Sequence, residues 1–147
     1  KDREPAAMNW DVVRPRDAQR RDRVMAILNT ATQWCADDLY HAAMVLQHGE
    51  APHPFLLAHV LASASAAKGY ETARWLSAAT FDRYLQSVGQ PQVFGTQYLK
   101  GDPSAAWTQE ALDRNVLPDA IRRLFKVPAL SEQQKRLEEM NRSPAHK

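Results

Sequence analysis

Residues 54–69 read PFLLAHVLASASAAKG, and their order decides the fold. Pro54 suits the first turn of a helix, where its missing N–H is no loss, and Gly69 suits the position just past the end. Between them Phe55, Leu56, Leu57, Val60, Leu61 and Ala62 lie nearly all round the helix, as in a helix buried between neighbours rather than laid on a surface. The spacing predicts a central helix over 54–68.

Working outward, Ala73, Trp75, Leu76, Ala78, Ala79, Tyr84 and Leu85 predict a helix over 71–88, with Gly89 as a left-handed cap. On the other side, Asp37 and Asp38 precede Leu39, Ala42, Ala43 and Leu46. This predicts a helix over 37–48 with its acids at the positive end of the dipole and Gly49 as its stop. Val24, Ile27, Leu28 and Ala31 give a further helical face over 16–33. After residue 89 the periodicity fails through Gln90-Pro91 and Gly101-Asp102-Pro103 as far as Trp107, which predicts a long irregular segment. Two short helices are expected to follow, over 117–125 and 131–141.

The fold class is therefore all-α, a compact helical bundle with a long irregular loop. The division is an N-terminal arm over 1–15 docked through Trp10, a single helical domain over 16–141, and a flexible tail over 142–147. Ala62, Ala66, Ala67, Lys68-Gly69, Ala73, Leu76 and Ala79 resemble the antiparallel helix pair of a tetratricopeptide or Sel1-like unit. Fewer than two such units fit, whereas stacked arrays need about three or more, so an isolated bundle is expected.

A chain of 147 residues buries enough surface for a core without metal or disulfide. The net charge of +2 is spread among acids. The densest basic run, Arg14, Arg16, Arg20, Arg21 and Arg23, contains Asp17 and Asp22 at helical spacing and reads as a solvated helix face, not a nucleic-acid stripe. Cys35 is the one cysteine, so no disulfide framework exists within the chain, and its neighbours Trp34, Ala36 and Leu39 predict a buried, unreactive thiol. No stretch reaches the roughly 20 apolar residues of a membrane span, and no signal-peptide core is present. The chain starts at Lys1, so both a cytoplasmic protein and one exported after loss of an N-terminal segment fit.

Several polar residues fall where a helical core would not want them: Gln47 and His48, His59, Asp82 and Arg83, then the loop Gly89-Gln90-Pro91-Gln92-Val93-Phe94-Gly95-Thr96-Gln97. Buried without a partner each would cost roughly 1–3 kcal/mol, so they are expected to meet one another or a ligand. His41 and His48 lie two turns apart on one helix face with Met44 and Val45, and His59 is on the next helix. No H-x-x-x-H pair, phosphate loop or G-x-S-x-G turn occurs, so no metal and no cofactor is expected and a nucleophile-elbow hydrolase is disfavoured. Asp82 and Arg83 diverge by about 100° on their helix and must serve different partners.

With Gln47-His48, Asp82-Arg83 and a loop of the form G-x-P-Q-x-[YF]-G-T-Q, the chain resembles a bacterial family of unknown function over residues 37–98. Gly49 and Glu50 approximate the small residue and acid that often follow the family's Gln-His. Phe94 stands where its loop often has tyrosine, which removes a hydroxyl. The resemblance implies a shared pocket and no particular activity.

The expected function is binding of a small molecule or peptide in a polar pocket formed by helices two to four and the 90–97 loop, with Gln47, Arg83, Gln92, Thr96 and Gln97 as ligand contacts. The enzyme alternative is a hydrolase or proton-transfer catalyst with His48 or His59 as base, Asp82 as its orienter, and Arg83 with Thr96 stabilising negative charge. The third reading is a structural or protein-interaction module with exposed apolar area around Trp107, Leu124, Phe125 and Leu130.

Overall fold

Proline fixes where the central helix starts. Pro52 and Pro54 both fall in the first turn of the helix Pro52–Ala67, which follows the extended Ala51. The computed structural model describes residues 10–142, with side chains from Pro15 onward. Within them lie α1 (Trp10–Thr30), α2 (Ala36–Leu46), α3 (Pro52–Ala67), α4 (Ala73–Ser87), α5 (Asp119–Leu124) and α6 (Leu130–Arg142). The described residues form no strand; two isolated bridges, Gln92 with Leu112 and Leu99 with Thr108, stand in the irregular stretch between α4 and α5.

α3 packs against α2 on one side and α4 on the other, so it is central to the bundle. Small residues are buried on both helices: Ala58, Ala62 and Ser65 of α3, and Ala73, Ser77, Ala78 and Ala79 of α4. The hydroxyls among them are satisfied locally, Ser65 donating to Ala36 O at 2.6 Å and Ser63 pairing with Ser77 at 2.8 Å. Leu39, Leu46, Leu61 and Leu76 fill the space between the three helices, each contributing about 1.5–3 kcal/mol through burial. One expectation needs correcting. α3 is not buried all round, because Leu56 and Val60, one turn apart, are exposed on the face that neither neighbour covers.

α1 begins at Trp10, so residues 10–15, read from the sequence as part of an arm, lie within this helix, and Pro15 sits inside it. The docking of Trp10, residues 1–9 and residues 143–147 of the tail lie outside what is described, while Arg142, placed in the tail from the sequence, is the last residue of α6. Val24 and Leu28 rest on the core cluster, while Arg16, Arg20 and Arg23 are exposed and Arg20 pairs with Asp17 at 2.8 Å. α4 ends, as the sequence predicts, at a left-handed Gly89 with φ +73°. Beyond it a second small core gathers Ala78, Phe94 and Val127 with Phe81, Val93, Leu117 and Phe125. No helix among the described residues is long and apolar enough to cross a membrane.

Cys35 is the second correction. It is exposed, because it stands one residue ahead of α2 and serves as its N-cap. Its Sγ accepts from Asp38 N at 3.3 Å, and its thiol and backbone N–H donate to Asp38 Oδ2 at 2.9 and 3.3 Å. These two donated bonds, thiol first, hold the Asp38 carboxyl below its ordinary value. A serine hydroxyl fills the same role better than a thiol. Cys35→Ser is therefore expected to unfold at the wild-type denaturant midpoint or above it, and Cys35→Ala to lose about 0.5–2 kcal/mol, read by urea titration followed by circular dichroism.

Candidate functional site

The predicted polar residues sort into two groups that face away from each other. Asp82, on the last turns of α4, is fully buried. One carboxylate oxygen accepts from Val93 N at 2.8 Å and Phe94 N at 3.0 Å; the other accepts from Thr96 N at 2.9 Å and Thr96 Oγ1 at 2.7 Å. Four donors occupy the roughly four lone-pair positions a carboxylate offers. The loop 90–97 is thus wrapped around a buried acid.

Gln92 and Gln97 extend the same arrangement. Gln92 Oε1 accepts from Gln97 N at 3.0 Å, Gln92 Nε2 donates to Gln97 O and Gln109 O, and Gln97 Nε2 donates to Ala79 O at 3.3 Å. Three buried residues that the sequence did not single out complete it. Gln109 donates to Gly95 O and Gln133 Oε1, and Gln133 Nε2 donates to Phe94 O and Pro128 O. Arg122, fully buried, donates to Leu117 O and Val93 O. In Gln133 the only sequence signal is a buried-face position on an otherwise highly charged helix. In Arg122 there is none, since Arg122-Arg123 reads as a solvated pair.

Gly95 holds this cluster together by being small. Its φ is +81°, and a Cβ there would stand 2.1 Å from Gln133 Oε1.

The second group lies at the C-terminal end of α2. Arg83 turns away from Asp82, as their spacing requires, and its Nη1 donates to Gln47 O at 3.4 Å. Arg21 of α1 donates to the next carbonyl, His48 O, at 3.1 Å. Two guanidinium groups so meet the negative end of the α2 dipole. Arg83 has no carboxylate partner among the described residues. Its Nε, and Gln86 Nε2 one turn further along α4, are buried without a hydrogen-bond partner. Burial pushes the Arg83 pKa below its ordinary value. The buried Gln47 amide beside it donates to the thioether of Met44 at 3.2 Å, a weak acceptor.

The imidazoles do not converge. His41 on α2 and His48, two residues past its end, line a cavity of about 220 Å³ with Met44 and Val45 against Asp17 and Arg20 of α1. His59 lies on the other side of the bundle, where its Nδ1 is 2.9 Å from Ser77 O and its ring 4.9 Å from that of Phe81. A carbonyl only accepts, so Nδ1 carries the proton. The His–Asp pair of the enzyme alternative is therefore not formed: the Asp82 oxygens are filled by the loop, His59 bonds a backbone carbonyl, and His48 is exposed. Among the described residues no group of three or more His, Cys, Asp or Glu is placed to hold a metal ion. Of the four residues marked for an interaction surface, Leu124 is exposed, but Trp107, Phe125 and Leu130 are partly buried, with Phe125 packed on Phe94 at 4.9 Å.

Removing the Asp82 carboxylate leaves three loop amides without acceptors. Asp82→Ala is expected to cost about 3–5 kcal/mol, and Gly95→Ala about 2–4 kcal/mol through the left-handed φ and displacement of Gln133. Urea unfolding measures both. Hydrogen exchange on Asp82→Ala shows selective loss of protection at Val93, Phe94 and Thr96 if the carboxylate organises the loop.

Compared with known protein families, curated proteins and solved structures, the chain matches none, so its functional reading rests on these residues.

Proposed function

We propose that this domain binds a small molecule or peptide through an anionic group, carboxylate or phosphate, held by Arg83 at the corner between α2 and α4. The observation that supports the reading is the condition of the guanidinium. It is half-buried, has one long bond to a carbonyl, and carries a charge that no described carboxylate balances. A charge taken out of water without a counter-ion is costly. An anion in bidentate contact with the fork would supply the missing partner. The unpartnered Gln86 amide one turn away adds a second donor on the same helix face.

In this reading the pocket expected between helices two to four and the 90–97 loop divides its labour. Gln92, Thr96 and Gln97 spend their hydrogen bonds on the protein and fix the end of α4, while Gln47 and Arg83 face the ligand. Catalysis is not carried forward, since it needs an imidazole beside Asp82. We also infer that α3 and α4 pair in the manner of a tetratricopeptide or Sel1-like unit, supported by the alanines and serines buried along both and by the Ser63–Ser77 contact between them. The signature Gln-His, Asp-Arg and G-x-P-Q-x-F-G-T-Q supports membership of the bacterial family it resembles, because its parts bond one another: Asp82 to the loop and Arg83 to Gln47.

Thermal unfolding of the whole chain with inorganic phosphate, acetate and benzoate, against sodium chloride at matched ionic strength, tests the reading. At least one anion is expected to raise the melting temperature progressively with its concentration. Arg83→Met should abolish that rise while remaining within about 1 kcal/mol of wild-type stability, or above it, since it removes an unbalanced buried charge. An equal rise in wild type and variant, or none with any anion, overturns the proposal.

A further inference from the structure

The α1 side of the α2 corner, where Arg21 stands, adjoins empty space. Between α1 and the start of α3 lies a cavity of about 260 Å³ whose walls are Met25, Leu46, Pro54 and Leu57 and whose polar groups are Arg21, Asp22 and His53. Arg21, which lines the cavity, and Arg83, which does not, donate to the consecutive carbonyls of His48 and Gln47 at the end of α2. Arg21 has no carboxylate partner among the described residues.

We infer that the ligand is a small monocarboxylate with an apolar body, its carboxylate taken by Arg83 and Arg21 and its body lodged among Met25, Leu46, Pro54 and Leu57; this rests on the anion-binding reading above. Three observations select that class. The walls are aliphatic, and 260 Å³ exceeds the roughly 150 Å³ that suffices for a benzene ring in an engineered apolar cavity. Met25 is 39% exposed, and a thioether chain adjusts readily to the shape of what it covers. Asp22 at the cavity wall adds a negative charge, which disfavours a dianionic phosphate ester more than a monoanion. Of the two other cavities along α1, about 230 and 220 Å³, the first has no arginine in its walls and the second has Arg20 already paired with Asp17, so both suit an anion less.

The probes are 3-phenylpropionate, propionate, 3-phenyl-1-propanol and inorganic phosphate, titrated calorimetrically into the whole chain. 3-Phenylpropionate is expected to bind at least about tenfold more tightly than propionate, through burial of its ring, and at least about tenfold more tightly than the alcohol, which lacks the charge. Met25→Trp, which fills the cavity from an exposed position, should cost 3-phenylpropionate about tenfold or more and leave propionate within about twofold. A ring-current shift of the Met25 methyl resonance on adding 3-phenylpropionate gives a readout that needs no substitution. Equal affinities for the two acids, tighter binding of phosphate, or an unmoved Met25 methyl overturns the inference. If binding still depends on Arg83 in those cases, the anion site stands and only the apolar body is misplaced; if no anion binds, or Arg83→Met changes nothing, both fall.

Discussion

One buried carboxylate decides where half of this domain goes. Residues between α4 and α5 form no helix, so their amides must find acceptors elsewhere, and a buried N–H left alone costs roughly 1–3 kcal/mol. Asp82 takes three of them with the Thr96 hydroxyl in a single contact zone. Gln92, Gln109, Gln133 and Arg122 continue outward from there, each spanning two stretches of chain that have no regular hydrogen-bonding pattern in common. The result is a polar core, next to the alanine-rich one, in which side chains do the work that a sheet would otherwise do.

Because Asp82 is fixed by the loop, Arg83 is fixed too. Adjacent residues on a helix point about 100° apart, so anchoring the carboxylate in one direction sends the guanidinium toward α2. There it meets carbonyls already bearing the partial negative charge of a helix end, which stabilises it by at most about 1–2 kcal/mol. Full burial of an ion costs several kcal/mol, and Arg83, half-buried, bears part of that cost. The loop thus holds a cation at a position where the protein only partly compensates it. Such a placement makes sense if a ligand completes the compensation, and it ties the loop to function without requiring that the loop touch the ligand.

The helices were legible because their signals are local. Pro52 and Pro54 mark a start and Gly89 a stop, and the six helices fall within a few residues of where periodicity puts them, apart from the start of α1. The divergence of Asp82 from Arg83 follows from helix geometry alone. The polar core was legible only in part. Glutamine at 92 and 97 stands out beside glycine and proline, whereas Gln109 and Gln133 are brought in from 14 and 39 residues' separation by the path of the chain, which no local pattern encodes. Cys35 misled because apolar neighbours predict burial, while a helix N-cap is by nature at an edge. His59 looked like a catalytic group for the same reason that it is a good core residue: one proton donated to a carbonyl satisfies it.

The helix that covers the α2 corner has no fully buried residue from Pro15 onward. α1 contributes Val24 and Leu28 to the core and Arg21 to the His48 carbonyl, and the cavities of about 230, 260 and 220 Å³ lie along its seam. Elements with few buried apolar contacts open at a lower free energy than the core does, so α1 yields before the core helices α2, α3 and α4. On the binding reading, that looseness has a thermodynamic consequence. A ligand lodged between Met25 and Leu57 adds contacts to α1 that the free protein lacks, and linkage then requires that binding stabilise α1 as much as a docked α1 strengthens binding. The firm part of the structure, from Asp82 to Gln133, sets the position of Arg83, and on the same reading the yielding part is what admits a ligand to it.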